Sequence, residues 1–404
     1  MRQTCVALVV LALGFPAAAA AQSDGAPDPA KVRVRIGALW MNPSIGLTNI
    51  GVDDNVFNQP DDQQPKSDFT ATFTPRTDLW VRMGRSWLSG TIDEQLVWYQ
   101  KYSTERSTNT RFLVGWRMPA NVFNVNLGAG YVNTHERVGY EIDLRAPQTN
   151  VDLHAAIEGK VASKSFIGVR VQQLKVEFDD QATFANRLLR DELNHDTTTV
   201  ALTLRQQLTP LTSIEFSGTR ATDQFEFSPL RDSTSTAFNG SVTFDPLALI
   251  RGTATFGYRD FAPDSPDVPG YTGGTMSVDL AYTLLGATRF TVRAIRDIQY
   301  SFDVTQPYYL QTGVELSVTQ QIFGPVDVVG RLNEQRLAYR DRNGVPQIAP
   351  NRTDSIHSYG FGAGYHFGPD LRLGFNIDSV RRESVIDSRT YKGLKYGTAL
   401  TYGF

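Results

Sequence analysis

Cysteine is almost missing from this chain of 404 residues: there is one, Cys5, and it lies within the first 21 residues. The rest of the chain therefore has no disulfide and no thiolate metal site. Long apolar runs are missing as well. A helical membrane protein needs runs of roughly 18 or more apolar residues, and none occurs past residue 21. Basic excess is also lacking. Lys+Arg 39 against Asp+Glu 42 gives a formal charge of -3, which does not favour nucleic acid as a partner. Methionine is scarce, at 5, whereas Phe 23, Tyr 16 and Gly 33 are plentiful. So many rings exclude a disordered chain. What is left is an all-β chain with thinly spread apolar residues.

Residues 1–21 read as a secretory signal: Arg2, the apolar stretch Val6 to Phe15, then Ala19-Ala20-Ala21 before Gln22. Residues 22–43 read as a periplasmic or lumenal segment, beginning with a short polar linker. Residues 32–41 alternate and either extend the first strand or lie apart from it, with Pro43 as the break.

From residue 44 to 404 the dominant pattern has period 2. In residues 275–284, Met276, Val278, Leu280, Tyr282 and Leu284 share one face; Thr275, Ser277, Asp279, Ala281 and Thr283 share the other. The stretches 123–131, 310–319 and 371–378 repeat this. Such strands separate two different solvents. Tight turns such as Gly84-Arg85-Ser86, Pro119-Ala120-Asn121, Gly324-Pro325 and Gly368-Pro369-Asp370 recur about 35 to 47 residues apart. Longer polar segments, among them 136–148, 179–194 and 341–352, alternate with them. Eighteen strands result. A soluble propeller would bury both faces of its middle strands, so a closed antiparallel transmembrane β-barrel is expected, since an open edge cannot exist in hydrocarbon. An even strand count places both termini at the short, periplasmic turns. Tyr99, Tyr258, Tyr300, Tyr339 and Tyr365, near strand ends, are expected in interfacial girdles.

The last residues carry Leu400, Tyr402 and Phe404 on alternate positions. They resemble the recognition strand that barrel-assembly machinery reads in the Gram-negative outer membrane. Outer-membrane lipid and lipopolysaccharide are the expected surroundings. Barrels of this size exceed what side chains alone fill, so an aqueous channel is expected. The 22 residues of 22–43 are too few for a plug domain, although a loop or residues 32–41 can constrict the lumen. Parity nominates its charged lining: Arg111, Arg117, Arg170, Arg205, Glu215, Asp279, Arg293, Asp297, Glu315, Asp327, Arg331, Arg372 and Asp378. Both signs are present, which favours hydrated, weakly charged solutes over one ion type.

Residues 43–57, PSIGLTNIGVDDNVF, hold Pro43, Asp53, Asp54, Asn55 and Phe57. They resemble the first strand of outer-membrane β-barrel porin-like proteins associated with exopolysaccharide export. That resemblance implies a conduit for secreted polysaccharide, working with periplasmic export components. The alternative is a diffusion porin for small polar solutes. Asp53, Asp54 and Asn55 themselves are read as turn-stabilising, since such side chains satisfy nearby backbone groups. No cofactor, metal site or catalytic residue is assigned. None of the five His falls in HExxH, and no GxSxG or P-loop occurs. A barrel enzyme stays as a third possibility only through His195 beside Asp196, near Asp191 and Glu192.

Overall fold

A computed structural model describes residues 27, 29, 32–245 and 248–403. The proposed signal, the turn at Pro246 and the terminal Phe404 lie outside the described residues. Eighteen long strands form the wall. They are β2 (Leu39–Asp53), β3 (Asp68–Met83), β4 (Ser86–Tyr99), β5 (Ser107–Pro119), β6 (Phe123–Arg137), β7 (Arg145–Ala162), β8 (Ser165–Phe178), β11 (His195–Thr209), β12 (Thr212–Phe225), β13 (Ser233–Phe244), β14 (Ile250–Pro263), β15 (Tyr271–Leu284), β16 (Thr288–Tyr300), β17 (Tyr308–Phe323), β18 (Val326–Arg340), β19 (Thr353–Phe367), β20 (Leu371–Glu383) and β21 (Tyr391–Tyr402). A short β1 (Val34–Ile36) hairpins onto β2, β9 (Thr183–Phe184) pairs β10 (Arg187–Leu188) within one long loop, and α1 (Leu189–Leu193) follows them. Each wall strand pairs antiparallel with its neighbour in sequence, and β2 pairs β21, from Ile45↔Tyr402 to Asp53↔Lys395. The sheet is therefore a closed antiparallel barrel of eighteen strands.

The first strand begins at Leu39, earlier than the expected residue 44. Pro43 lies inside it, opposite Thr77 of β3. Proline is tolerated there because pairing with β21 starts only at Ile45, so no ladder donor is missed on that side. Arg33 occupies the gap, donating from Nη1 to the Pro43 carbonyl at 3.1 Å and the Gly403 carbonyl at 2.5 Å. Residues 32–41 thus close the seam at the short-turn end. Farther along, a bulge between Thr48 and Gly51 kinks β2, with Asn49 at φ 53. Gly51 is required beside it, since a Cβ there would lie 1.9 Å from the Tyr396 carbonyl oxygen.

Alternation sorts the side chains into two sets. The outward set is apolar: Leu202, Leu204, Phe216, Phe238, Phe256 and Phe361 are all exposed, Phe238 to 70%. Tyr258 and Tyr365 lie on this outward face. Tyr99 and Tyr339 do not, being 3% and 2% exposed. Their odd positions belong to the inward sets of β4 and β18, where long loops cover them. Tyr300 is also inside, for a different reason given below. The described core is not a layer between sheets. It lies in three apolar clusters at the long-loop end, built from loops folded onto the inner wall.

Candidate functional site

Along the inner wall the parity-selected charges meet as opposed pairs. Arg170 lies 3.5 Å from Glu215, Arg259 lies 2.9 Å from Asp297, and Arg331 lies 2.8 Å from Asp378. Arg205 makes a two-toothed contact with Glu158, at 2.9 and 2.7 Å. Arg293 stands between Asp279, at 3.3 Å, and Glu315, at 4.0 Å. Asp327 accepts from Arg372 at 2.8 and 2.6 Å and meets His366 at 2.7 Å. Arg111 lies across the ladder from Asp93, and Arg117 from Trp87. Near the short-turn end, Trp87 meets Trp40 edge to face, with centroids 5.2 Å apart. The wall is therefore polar, of mixed sign, and largely neutralised in place.

Two segments from different parts of the wall meet inside the mouth at the long-loop end. One is the 138–144 loop between β6 and β7. Its Tyr140 reaches across to the inner face, donating to Glu315 Oε1 at 3.1 Å and accepting from Asn333 Nδ2 at 3.2 Å. The other is the 301–307 loop between β16 and β17. Glu141 joins them, accepting from Ser301 Oγ at 2.7 Å and from the Phe302 amide at 3.2 Å. Ile142 packs with Phe302, Phe178, Leu189 and Leu193 in one apolar cluster. Phe302 stacks edge to face on Phe184, with centroids 4.9 Å apart. This crossing meets the paired charges of the wall at Glu315, which Tyr140 contacts and which lies 4.0 Å from Arg293.

Arg382, near the outer end of β20, pins the 138–144 loop. It is fully buried and donates to the Tyr140 carbonyl at 2.8 Å, to Asp143 Oδ1 at 3.1 Å and to Asp354 Oδ2 at 2.5 Å. Asp354 is shared with Arg352, through a two-toothed contact at 3.0 and 2.5 Å. Arg389 reaches the Glu141 carbonyl and lies 3.4 Å from Asp143. Buried charges persist only when paired in this way. Burial pushes the Glu141 carboxyl above its ordinary range, against the pull of the Ser301 hydrogen bond and of Arg389 and Arg352. Beside the crossing a cavity of about 190 Å³ remains, lined by Val56, Glu105, Arg137, Asp143, Arg145 and Phe184 among others.

The first-strand motif is placed at the seam. Asp54 Oδ1 accepts from the Leu394 amide at 2.6 Å. Asn55 Nδ2 donates to the carbonyls of Gln59 and Lys392, each at 2.8 Å, and its Oδ1 accepts from the Gln59 amide at 2.8 Å. Asp53 pairs with Lys395 at 3.1 Å. Phe57 packs on Tyr102, with centroids 5.0 Å apart. The two aspartates and Asn55 thus satisfy backbone at a turn and tie β2 to β21. Leu400 and Tyr402 point outward on β21. His195 contacts the Leu193 carbonyl through Nδ1 at 2.7 Å and stacks on Phe225. Asp196 lies on the opposite face, so the two are not brought together.

The crossing residues Tyr140, Glu141, Asp143, Asp354, Arg382 and Ser301 were not among those nominated by the sequence. One signal was available. Val138, Tyr140, Ile142 and Leu144 alternate with polar residues in a segment too apolar for a solvated loop.

The sequence pattern of the family described as "Putative beta-barrel porin 2" matches residues 28–402. No curated protein matches by sequence. Among solved structures, the chain is similar to a BenF-like porin from Pseudomonas fluorescens Pf-5, at 12% identity and TM-score 0.51, over 91% of this chain and 98% of that one. Acinetobacter baumannii OccAB4 aligns over 90% of this chain and 97% of that one, at 8% identity and TM-score 0.49. Pseudomonas aeruginosa OpdL aligns over 90% and 98%, at 11% identity and TM-score 0.42. At 12% identity the likeness to the BenF-like porin is one of fold.

Proposed function

The chain belongs to the family described as "Putative beta-barrel porin 2", and from that membership we propose that this outer-membrane barrel admits small polar solutes through a mouth held narrow by the 138–144 and 301–307 loops. The observation that carries the reading is the Glu141 bridge to Ser301 and Phe302, which joins two segments of distant origin across the lumen. Below it, a wall of paired arginines and carboxylates suits hydrated solutes of low net charge. The long loops then face outside the cell and the short turns face the periplasm. The outward apolar set would meet lipid and lipopolysaccharide, and Leu400 and Tyr402 would serve strand addition by the assembly machinery.

The exopolysaccharide conduit suggested by the first-strand motif finds no support in the family match or in the similar structures. Asp53, Asp54 and Asn55 have a local task in the seam instead. A polymer also needs a passage as wide as a sugar ring at every level at once, and the bridged mouth opposes that. Swelling of liposomes containing the purified barrel tests the proposal. Entry of amino acids and monosaccharides, falling steeply with solute size, is expected. Equal passage of long oligosaccharides would contradict it.

A further inference from the structure

β15 and β16 are paired only over their inner halves. Their ladder runs from Leu284↔Thr288 to Met276↔Arg296 and stops there. Yet β15 continues to Tyr271 against β14, and β16 continues to Tyr300 against β17. Two facing strand edges, 271–275 and 297–300, are thus left without each other. The cause is that the tip of the β16–β17 hairpin leaves the wall and enters the lumen. Tyr300 crosses to the inner face of β13, where its hydroxyl lies 2.7 Å from Ser233 Oγ, and its ring meets Phe225 of β12 with centroids 4.7 Å apart. Arg231 Nε donates to the Ser301 carbonyl at 2.9 Å. Ile298, Tyr308 and Leu310 stand at positions whose parity is outward, yet they pack inside against Phe261 and Val268.

The vacated edge fits its missing partner. Continuing the β15–β16 register past Met276↔Arg296 sets Thr275 opposite Asp297, Gly274 opposite Ile298, Gly273 opposite Gln299 and Thr272 opposite Tyr300. In that arrangement Ile298 and Tyr300 would join the outward apolar surface near Tyr258, and Gln299 would face water. Gly273 and Gly274 present no side chain to obstruct the pairing. The open Gly274 carbonyl is already held by two side chains, accepting from Arg296 Nε at 3.2 Å and from the Tyr271 hydroxyl at 2.9 Å, and these must swing away as the strands pair. An unpaired sheet edge of this kind is a template for strand addition.

We infer that residues 297–308 form a gate with two seats, one docked in the lumen on Glu141, Arg231 and Ser233, the other zipped onto the free edge of β15, where the wall is completed and the mouth is cleared. This inference rests on the channel reading above. Its test is the pair Gly273→Cys and Gln299→Cys in a Cys5→Ser background. Opposed strand residues bring Cα atoms to about 4.5–5.5 Å, within the span a disulfide bridges. Oxidation is expected to produce the disulfide, seen as a shift on non-reducing gels, with a several-fold rise in single-channel conductance that reductant reverses. The pair Met276→Cys and Arg296→Cys, already opposed, reports whether oxidation works. A folded barrel in which that second pair links and the first does not would overturn the gate. Linkage of the first pair with no ion current in either redox state would leave the gate standing and contradict the channel reading.

Discussion

Replacing Arg382 with Met should unpin the mouth and leave the wall intact. The side chain is fully buried and serves the Tyr140 carbonyl, Asp143 and Asp354 together. Breaking a buried ion pair by removing one partner costs about 3–5 kcal/mol. Here the lower end applies, because both carboxylates keep a cation: Asp354 keeps Arg352 at 2.5 Å and Asp143 keeps Arg389 at 3.4 Å. Ser384 Oγ also donates to Asp354 at 2.6 Å. A loss of about 3 kcal/mol, at about 1.4 kcal/mol per factor of ten, raises the open-to-closed ratio roughly a hundredfold. The β20 ladder uses backbone groups and should survive. Single-channel recording in planar bilayers gives the open fraction, and heat-modifiable migration on gels shows that the barrel has folded. Arg382→Lys should recover part of the closure, since it restores the charge but not the fork that reaches several acceptors. A folded Arg382→Met barrel with the wild-type open fraction would refute the reasoning.

The mouth should also respond to pH. A buried carboxyl with an elevated pKa favours its neutral form, so its contribution to closure is complete below the ordinary value of 4.5 and fades as pH rises through the elevated one. The groups facing it are Ser301, the Phe302 amide, Arg389, Arg352, Arg231, Tyr309 and Tyr339. Open fraction should therefore increase with pH, and Glu141→Gln should flatten that dependence; a wild-type open fraction that does not change with pH would count against it. On the lipid side, Leu202→Arg should cost about 2–4 kcal/mol near the bilayer midplane, read as a lower urea midpoint in lipid. An inward residue of the same strand, Thr199→Arg, should move that midpoint far less; equal losses would mean the faces are assigned wrongly.

Period-2 alternation made the wall legible from the amino-acid order, because lipid and water impose opposite demands on adjacent side chains at every strand. The alternating stretches 275–284, 310–319 and 371–378 fall wholly within β15, β17 and β20. Pro43 misled, since whether a proline breaks a strand depends on what lies beside it, and that neighbour is the last strand of the chain. Tyr99 and Tyr339 could have been placed by parity within their own strands. Tyr300 could not. Its parity is outward, and only the departure of the β16 tip from the wall takes it inside. The mouth was hidden for the same reason. Glu141 and Ser301 are 160 residues apart, and Tyr140 and Arg382 are 242 apart. No local pattern encodes a contact between a loop and a distant wall, although the apolar residues at 138, 140, 142 and 144 did mark a loop with something to bury.

Single cysteines placed one at a time from 275 to 284, in a Cys5→Ser background in lipid vesicles, test the two-solvent wall most directly. A charged, membrane-impermeant thiol reagent should label positions 275, 277, 279, 281 and 283 and spare 276, 278, 280, 282 and 284. Labelling without that alternation, or uniform protection along the strand, would contradict a closed barrel around water.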